Sequence, residues 1–135
     1  MTDHVPPPGP GGPAGGPYEW LRRGLELLER GDAAAAATLL DRAHAEEPGS
    51  ASVLEALARA RYDSGQYETA AQAFASLVAA EPSSDYAHFG LGLSLFRLGR
   101  VSDAEPHLAM ADAMRPGRPE YGRRLREVRA TRAAR

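Results

Sequence analysis

The chain has no cysteine, no lysine, no asparagine and no isoleucine, so all 16 of its basic residues are arginine. Without cysteine there is no disulfide and no thiolate chemistry, cysteine-based zinc sites are excluded, and a cytoplasmic location is expected. Without lysine there is no Walker-type phosphate loop, and no serine sits in a G-x-S-x-G context. Lysine, asparagine and isoleucine share A/T-rich codons, and their absence points to a GC-rich bacterial genome. Nowhere do 18 apolar residues run together, and MTDHVPPPGPGGPAGGP has neither a basic n-region nor an apolar h-region. Neither export nor a membrane span is expected.

What is present is alanine and charge. Hydrophobic residues make up 43% of 135, and much of that share is alanine, which favours helix and lets backbones approach closely. The length suits one domain or one short array, with roughly two thirds of the unfolded surface buried on folding. Charge is uneven although the formal net value is −2. From Arg115 to Arg135, 8 arginines against Glu120 and Glu127 give +6, while residues 1–114 hold the other 8 arginines against 16 acids, giving −8. An acidic body therefore carries a basic tail.

Residues 1–16 read as a disordered arm, because positions 5 to 17 are mainly proline and glycine with no apolar period, and ordering them would bury too little surface. PPPGP has the composition of a polyproline II ligand, but no basic residue flanks it to fix an orientation, so a plain linker is the simpler reading. Beyond the arm, Pro48, Pro82 and Pro116 are 34 residues apart, as are Gly31, Gly65 and Gly99, and Ala36, Ala70 and Ala104. Leu40, Phe74 and Leu108 keep the same register, as do Ala43, Leu77 and Ala111, and Gly24, Ala58 and Gly92. Self-similarity in several independent series marks a repeat protein.

Each unit reads as two amphipathic helices, 18–30 with 33–46, 51–64 with 67–80, and 85–98 with 101–114. The glycine between them suits the left-handed residue that closes a helix, the alanine permits a close crossing, and the bulky residue one turn later fills the space where the helices diverge. Ser50 and Ser84 are placed as N-caps. Pro106 lies too deep in its helix to be harmless, so a start delayed to about Asp103, or a kink, is expected.

The pattern resembles the tetratricopeptide repeat. Trp20, Gly24, Ala36, Leu40, Ala43 and Pro48 match that family's signature in the first unit. Leu54, Leu57, Ala58, Tyr62, Ala70, Phe74, Leu77 and Pro82 match it in the second, and Leu91, Gly92, Leu95, Ala104, Leu108, Ala111 and Pro116 in the third. The resemblance implies an all-α fold, a right-handed superhelical array of antiparallel helix pairs, with repeats at 17–50, 51–84 and 85–118. Residues 119–135 then form a basic cap helix and tail whose Tyr121, Leu125 and Val128 cover the end. Arg23 departs from the family's leucine at an end with no neighbour, and Ala33 to Ala37 lack the usual aromatic at the start of their helix, so that helix should pack thinly.

Chemistry is scarce. His4, His44, His88 and His107 show no metal-ligand spacing, and His88 reads as a histidine packed inside its repeat. Glu46 and Glu47 read as solvated residues at a helix end. No acid, base or nucleophile is nominated, so neither enzyme activity nor a cofactor is expected. The resemblance instead implies a protein-binding adaptor with a concave groove. Of the positions it assigns to that groove, Arg22, Leu25, Arg59, Tyr62, Tyr86, Phe89, Leu93, Phe96 and Arg97 form the candidate site. Tyr86, Phe89, Leu93 and Phe96 share one helical stripe, either an apolar trough for a peptide or core covered by the C-terminal helix. Arg22, Arg59 and Arg97 would hold a partner's carboxylates. Family members that clamp a chaperone's C-terminal carboxylate use lysine and asparagine at groove positions, and this chain has neither, which argues against that partner. Two other readings remain. One is self-association into a homodimer through exposed end helices. The other is anion or nucleic-acid binding through Arg123, Arg124, Arg126 and Arg129, disfavoured by the acidic body and the lack of interleaved aromatics.

Overall fold

A computed structural model describes residues 15–135, and the expected arm lies outside the described residues except for Gly15 and Gly16. The described residues form seven helices and no strand: α1 (Pro17–Glu29), α2 (Ala33–Glu46), α3 (Ala51–Asp63), α4 (Tyr67–Ala80), α5 (Asp85–Arg97), α6 (Val101–Met114) and α7 (Pro119–Ala133). Each packs on the helix before and after it, and α3 also touches both α1 and α5. The first helices of the three pairs therefore lie side by side and build one continuous face.

The punctuation of the sequence explains these boundaries. Gly31, Gly65 and Gly99 take φ of 79°, 83° and 80°, a region that a side chain makes costly. At each of them two backbone bonds close the helix. At the first, Gly31 N–H donates to the Leu28 carbonyl at 3.0 Å and Asp32 N–H to the Leu27 carbonyl at 2.8 Å. The side chains of Ser50 and Ser84 accept from the amides of Val53 and Ala87, at 3.3 and 3.2 Å, and so cap α3 and α5. The delayed start at Pro106 does not occur, because α6 already begins at Val101. Both Pro106 and Ser102, whose carbonyl loses its helical donor, lie on the exposed side, where water can replace the bond.

Packing between helices depends on small residues that seat large ones. A Cβ added at Gly24 would lie 2.7 Å from Leu40, at Gly92 2.6 Å from Leu108, and at Gly90 2.3 Å from the ring of Phe74. In the middle pair the position matching Gly24 and Gly92 is Ala58, and Phe74 finds its glycine on the next helix instead. The core divides accordingly. A large cluster runs from Ala58 to Val128 around Phe74, Leu108 and Tyr121, while a smaller one joins Leu28, Leu40 and Leu57 with alanines of α2 and α3. In the first pair Ala33 stands where the later pairs place Tyr67 and Val101, and it is nonetheless buried, with Ala36, Ala37, Leu40 and Ala43 of the same helix.

His88 is buried at 7% exposure and satisfies both ring nitrogens. Its Nε2–H donates to the Pro82 carbonyl at 2.9 Å, leaving Nδ1 to accept from the Nδ1–H of His107 at 3.3 Å, with the two rings stacked at 5.6 Å. Burial, and then the facing His88, hold the His107 pKa below its ordinary 6.5, against a smaller opposing effect of Asp103.

Two outcomes follow from this packing. Gly90→Ala gains at most about 1 kcal/mol of helix propensity but forces a methyl into a ring that cannot retreat, a loss of about 1–3 kcal/mol. Urea denaturation should show net destabilisation that shrinks when Phe74→Leu is added, and additive effects of the two changes would reject the seating argument. For the histidines, the unfolded chain takes up the His107 proton at a higher pH than the folded chain does. Stability should fall as pH drops from about 7 toward 5 and level off below the folded pKa. Thermal melts should show part of that slope missing in His107→Gln, and an identical slope would count against the assignment.

Candidate functional site

The continuous face of α1, α3 and α5 carries two adjoining concavities. The larger, about 690 Å³, is lined by Leu21, Leu25, Ala51, Ser52, Glu55, Ala56, Arg59, Glu81 and Tyr86. The smaller, about 240 Å³, is walled by Tyr62, Phe74, Tyr86, Phe89 and Leu93, with Arg59, Asp63, Gly90, Glu120 and Arg124 at its edges. Arg59 and Tyr86 belong to both and form the ridge between them. Burial pushes the Tyr86 phenol up to about 12, so it stays a neutral hydroxyl at any working pH.

The candidate residues distribute unevenly over this surface. Leu25, Arg59, Tyr62, Tyr86, Phe89 and Leu93 come together along the two concavities, while Arg22, Phe96 and Arg97 line neither. Leu25 is 41% exposed, a large apolar side chain open to a partner. Phe89 is only 5% exposed, because the ring of Tyr121 lies 4.5 Å away and covers it, whereas Tyr86, Leu93 and Phe96 stay half-buried. The stripe is thus split between trough and core. A substitution at Phe89 reports on folding before it reports on binding.

The arginines are already engaged. Arg22 lies 3.4 Å from Glu19, and Arg59 3.6 Å from Asp63. Arg97 donates to the Tyr62 hydroxyl at 3.4 Å and sits over the Tyr67 ring at 5.3 Å. The basic tail is spent in the same manner. Arg123 is 3.7 Å from Glu120, Arg124 3.3 Å from Glu127, and Arg129 and Arg132 approach Glu105 of α6 at 3.6 and 2.8 Å. Three of the four tail arginines considered for phosphate contacts therefore carry internal partners. The two pairs to Glu105, with Leu125 and Val128 buried beneath, clasp α7 onto α6.

Tyr121 fixes α7 against α5 as well. It is 2% exposed, and its hydroxyl donates to Asp85 Oδ2 at 2.7 Å. That bond, with a smaller effect from Arg115, holds the Asp85 carboxyl below the usual carboxylate range, while burial and the same bond push Tyr121 up to about 12.

Several lining residues were missed by sequence reasoning. Glu81 follows the last turn of α4, and Glu120 and Arg124 come from α7. A signal existed for the latter two: at 34 residues beyond Tyr86 and Gly90 stand Glu120 and Arg124, so the groove register continues into the cap. Among the described residues no group of three or more His, Asp or Glu side chains is placed to hold a metal, and no helix is long and apolar enough to cross a membrane.

Comparison with known proteins gives a family match over just under half of the chain. A model described as tetratricopeptide repeat matches residues 55–119. No curated protein matches the chain in sequence. Among solved structures, MamA (residues 41 to the end) from Desulfovibrio magneticus RS-1 superposes with a TM-score of 0.83 at 20% identity, covering 87% of this chain and 66% of that one. The first TPR of Spaghetti (RPAP3), bound to the HSP90 peptide SRMEEVD, gives 0.80 at 17% identity over 87% and 93%. A thermophilic TPR protein of Thermus thermophilus gives 0.76 at 25% over 87% and 66%. The chain spans just under two thirds of the MamA structure, and identities this low establish the fold alone.

Removing the Tyr121 hydroxyl tests the cap. Tyr121→Phe keeps the ring on Phe89 but strips a buried hydrogen bond from a charged acceptor, and should cost about 1.5–3 kcal/mol. Urea denaturation should show that loss at pH 7. Its size should shrink as pH falls through the folded pKa of Asp85, because the bond stabilises only the ionised carboxylate. A variant as stable as the parent would separate α7 from the role given to it.

Proposed function

Because residues 55–119 belong to the tetratricopeptide repeat family and the described chain folds as an array of that kind, we propose that it is a non-catalytic adaptor of the cytoplasm, holding a segment of a partner protein in the groove of α1, α3 and α5. The observation that carries this reading is the groove itself, which joins two concavities and leaves Leu25 exposed and Tyr86 and Leu93 half-buried on preformed helices. A rigid scaffold of that form loses little entropy on binding.

The ends of the array argue against stacking between copies. At the positions where α3 buries Val53, Ala56, Leu57 and Ala60, and α5 buries Ala87, Gly90, Leu91 and Ser94, α1 exposes Glu19, Arg22, Arg23 and Glu26. These four pair among themselves, Arg22 with Glu19 and Arg23 with Glu26 at 3.7 Å. At the other end Arg126 and Arg129 of α7 are exposed where α5 buries Gly92 and Leu95. Burying either end against another copy would strand charges, which is the property expected of terminal units in a closed array.

Light scattering after size exclusion should give a monomer near 14.4 kDa. Affinity capture should then retain a discrete protein on the parent chain and lose it on Leu25→Asp, a change on an exposed helix face that leaves the circular dichroism intact. Equal retention by both proteins would reject the groove as the binding surface. A defined dimer without a captured partner would move the function to self-association.

A further inference from the structure

Of the charged groups that line the groove, the arginines are held by the fold and two carboxylates are not. Arg59 faces Asp63 and Arg124 faces Glu127. Glu55 of α3 and Glu81, just past α4, line the same 690 Å³ concavity, and neither side chain has a hydrogen bond or ion pair among the described residues. Burial raises the Glu55 pKa, and the charge of Glu81 raises it further. The rest of that wall is Leu21, Leu25, Ala51, Ala56 and the ring of Tyr86, with Ser52 and with Arg59, which faces Asp63.

A cavity with aliphatic walls and two unmatched carboxylates is complementary to a side chain with a long aliphatic stem and a cationic head. A carboxylate entering it would add a third negative charge to a pair already in repulsion, and a purely apolar side chain would remove water from both glutamates without replacing it. Across the Arg59 and Tyr86 ridge, the smaller cavity presents Tyr62, Phe74, Phe89 and Leu93, a lining suited to an apolar side chain.

From this geometry we infer that the groove's occupant is a basic segment of a partner protein, placing a lysine or arginine side chain between Glu55 and Glu81 and an apolar side chain in the aromatic cavity beside it. The inference rests on the adaptor reading of the groove and gives it a charge. The assignment is opposite in sign to the expectation that Arg22, Arg59 and Arg97 receive a partner's carboxylates, because the fold has already matched those arginines.

The peptide in the RPAP3 complex supplies a control, since SRMEEVD carries three acidic residues. Its charge-reversed counterpart, SRMKKVK, keeps the length and the apolar positions. Fluorescence anisotropy at low salt should show the lysine peptide bound about tenfold or more tightly than SRMEEVD, with the difference narrowing as salt is added. In Glu55→Gln/Glu81→Gln, which removes charge from two exposed side chains and keeps their shape, the two peptides should bind within about twofold of each other. Proton–nitrogen correlation spectra give a second readout. Butylammonium should shift the amides around Glu55, Glu81 and Tyr86 in the parent but not in the double variant, and butyrate should shift neither.

Equal or tighter binding of SRMEEVD overturns the proposal. So does a lysine-peptide affinity unchanged by the two glutamines, and so does the absence of binding by either peptide together with no butylammonium shift at the highest soluble concentration. A captured partner that docks through an acidic segment defeats this charge assignment and leaves the adaptor reading intact. Butylammonium binding by a chain that captures no protein defeats the adaptor reading and leaves the cationic subsite in place.

Discussion

Where helices of this array cross, a bulky side chain of the second helix is seated on a position with no room for a methyl group: Leu40 on Gly24, Phe74 on Gly90, Leu108 on Gly92. Dispersion contacts reward such an approach only if both surfaces keep their shape, so the small residue and the large one act as a unit. The choice of partner matters as much as the fit. Leu40 and Leu108 lock the two helices within a pair, whereas Phe74 locks α4 to α5 and so joins one repeat to the next. That inter-repeat contact stands beside the groove, because Phe74 also lines the aromatic cavity and meets Tyr86 edge-on at 5.9 Å. The spacing of the helices and the shape of the binding surface are set by the same ring.

An array built this way has to be stopped at both ends, and the two ends use different means. On α1 the residues that would face a preceding helix are charged and paired with opposite sign to one another. At the other end α7 continues the first-helix register, with Tyr121 and Leu125 turned inward and arginine outward. Its basicity has a structural reason: Glu105 takes Arg129 and Arg132 of α7, and Asp85 takes the Tyr121 hydroxyl, so charge at the rim of the helix joins the buried Tyr121, Leu125 and Val128 in holding it. The cap therefore trims the groove. It covers Phe89 and brings Glu120 and Arg124 to the edge of the smaller cavity.

Much of this was legible in the sequence because it depends on local rules. A left-handed residue, a serine cap and a small residue at a crossing each leave a mark at one position, and the 34-residue repetition of those marks gives the architecture. The fates of charged residues were not legible in this manner. Whether Arg97 is available depends on Tyr62, 35 residues away, and whether the Arg129 and Arg132 charges are free depends on Glu105 in another helix. Glu81 escaped notice because groove positions were counted along helices, and it enters from the turn after α4. Pro106 misled for a related reason. Helix interiors penalise proline where the freed carbonyl is dry, and here the ring falls on the wet face.

The distribution of charge then has a consequence for recognition. Residues 1–114 carry an excess of 8 acids, and the counterbalancing arginines are concentrated on and around α7, where Glu105, Glu120, Glu127 and Asp85 hold most of them. Tail arginines held by acids of α5, α6 and α7 are not spent on Glu55 and Glu81, whose side chains keep no partner among the described residues. The acidic surface thus remains open to a cation from another chain. Long-range attraction would speed the approach of a basic segment, while the two unmatched carboxylates in the larger cavity would decide where its charge comes to rest. Net charge alone, at −2, conceals this, because the charges that govern binding are those the fold leaves without a partner.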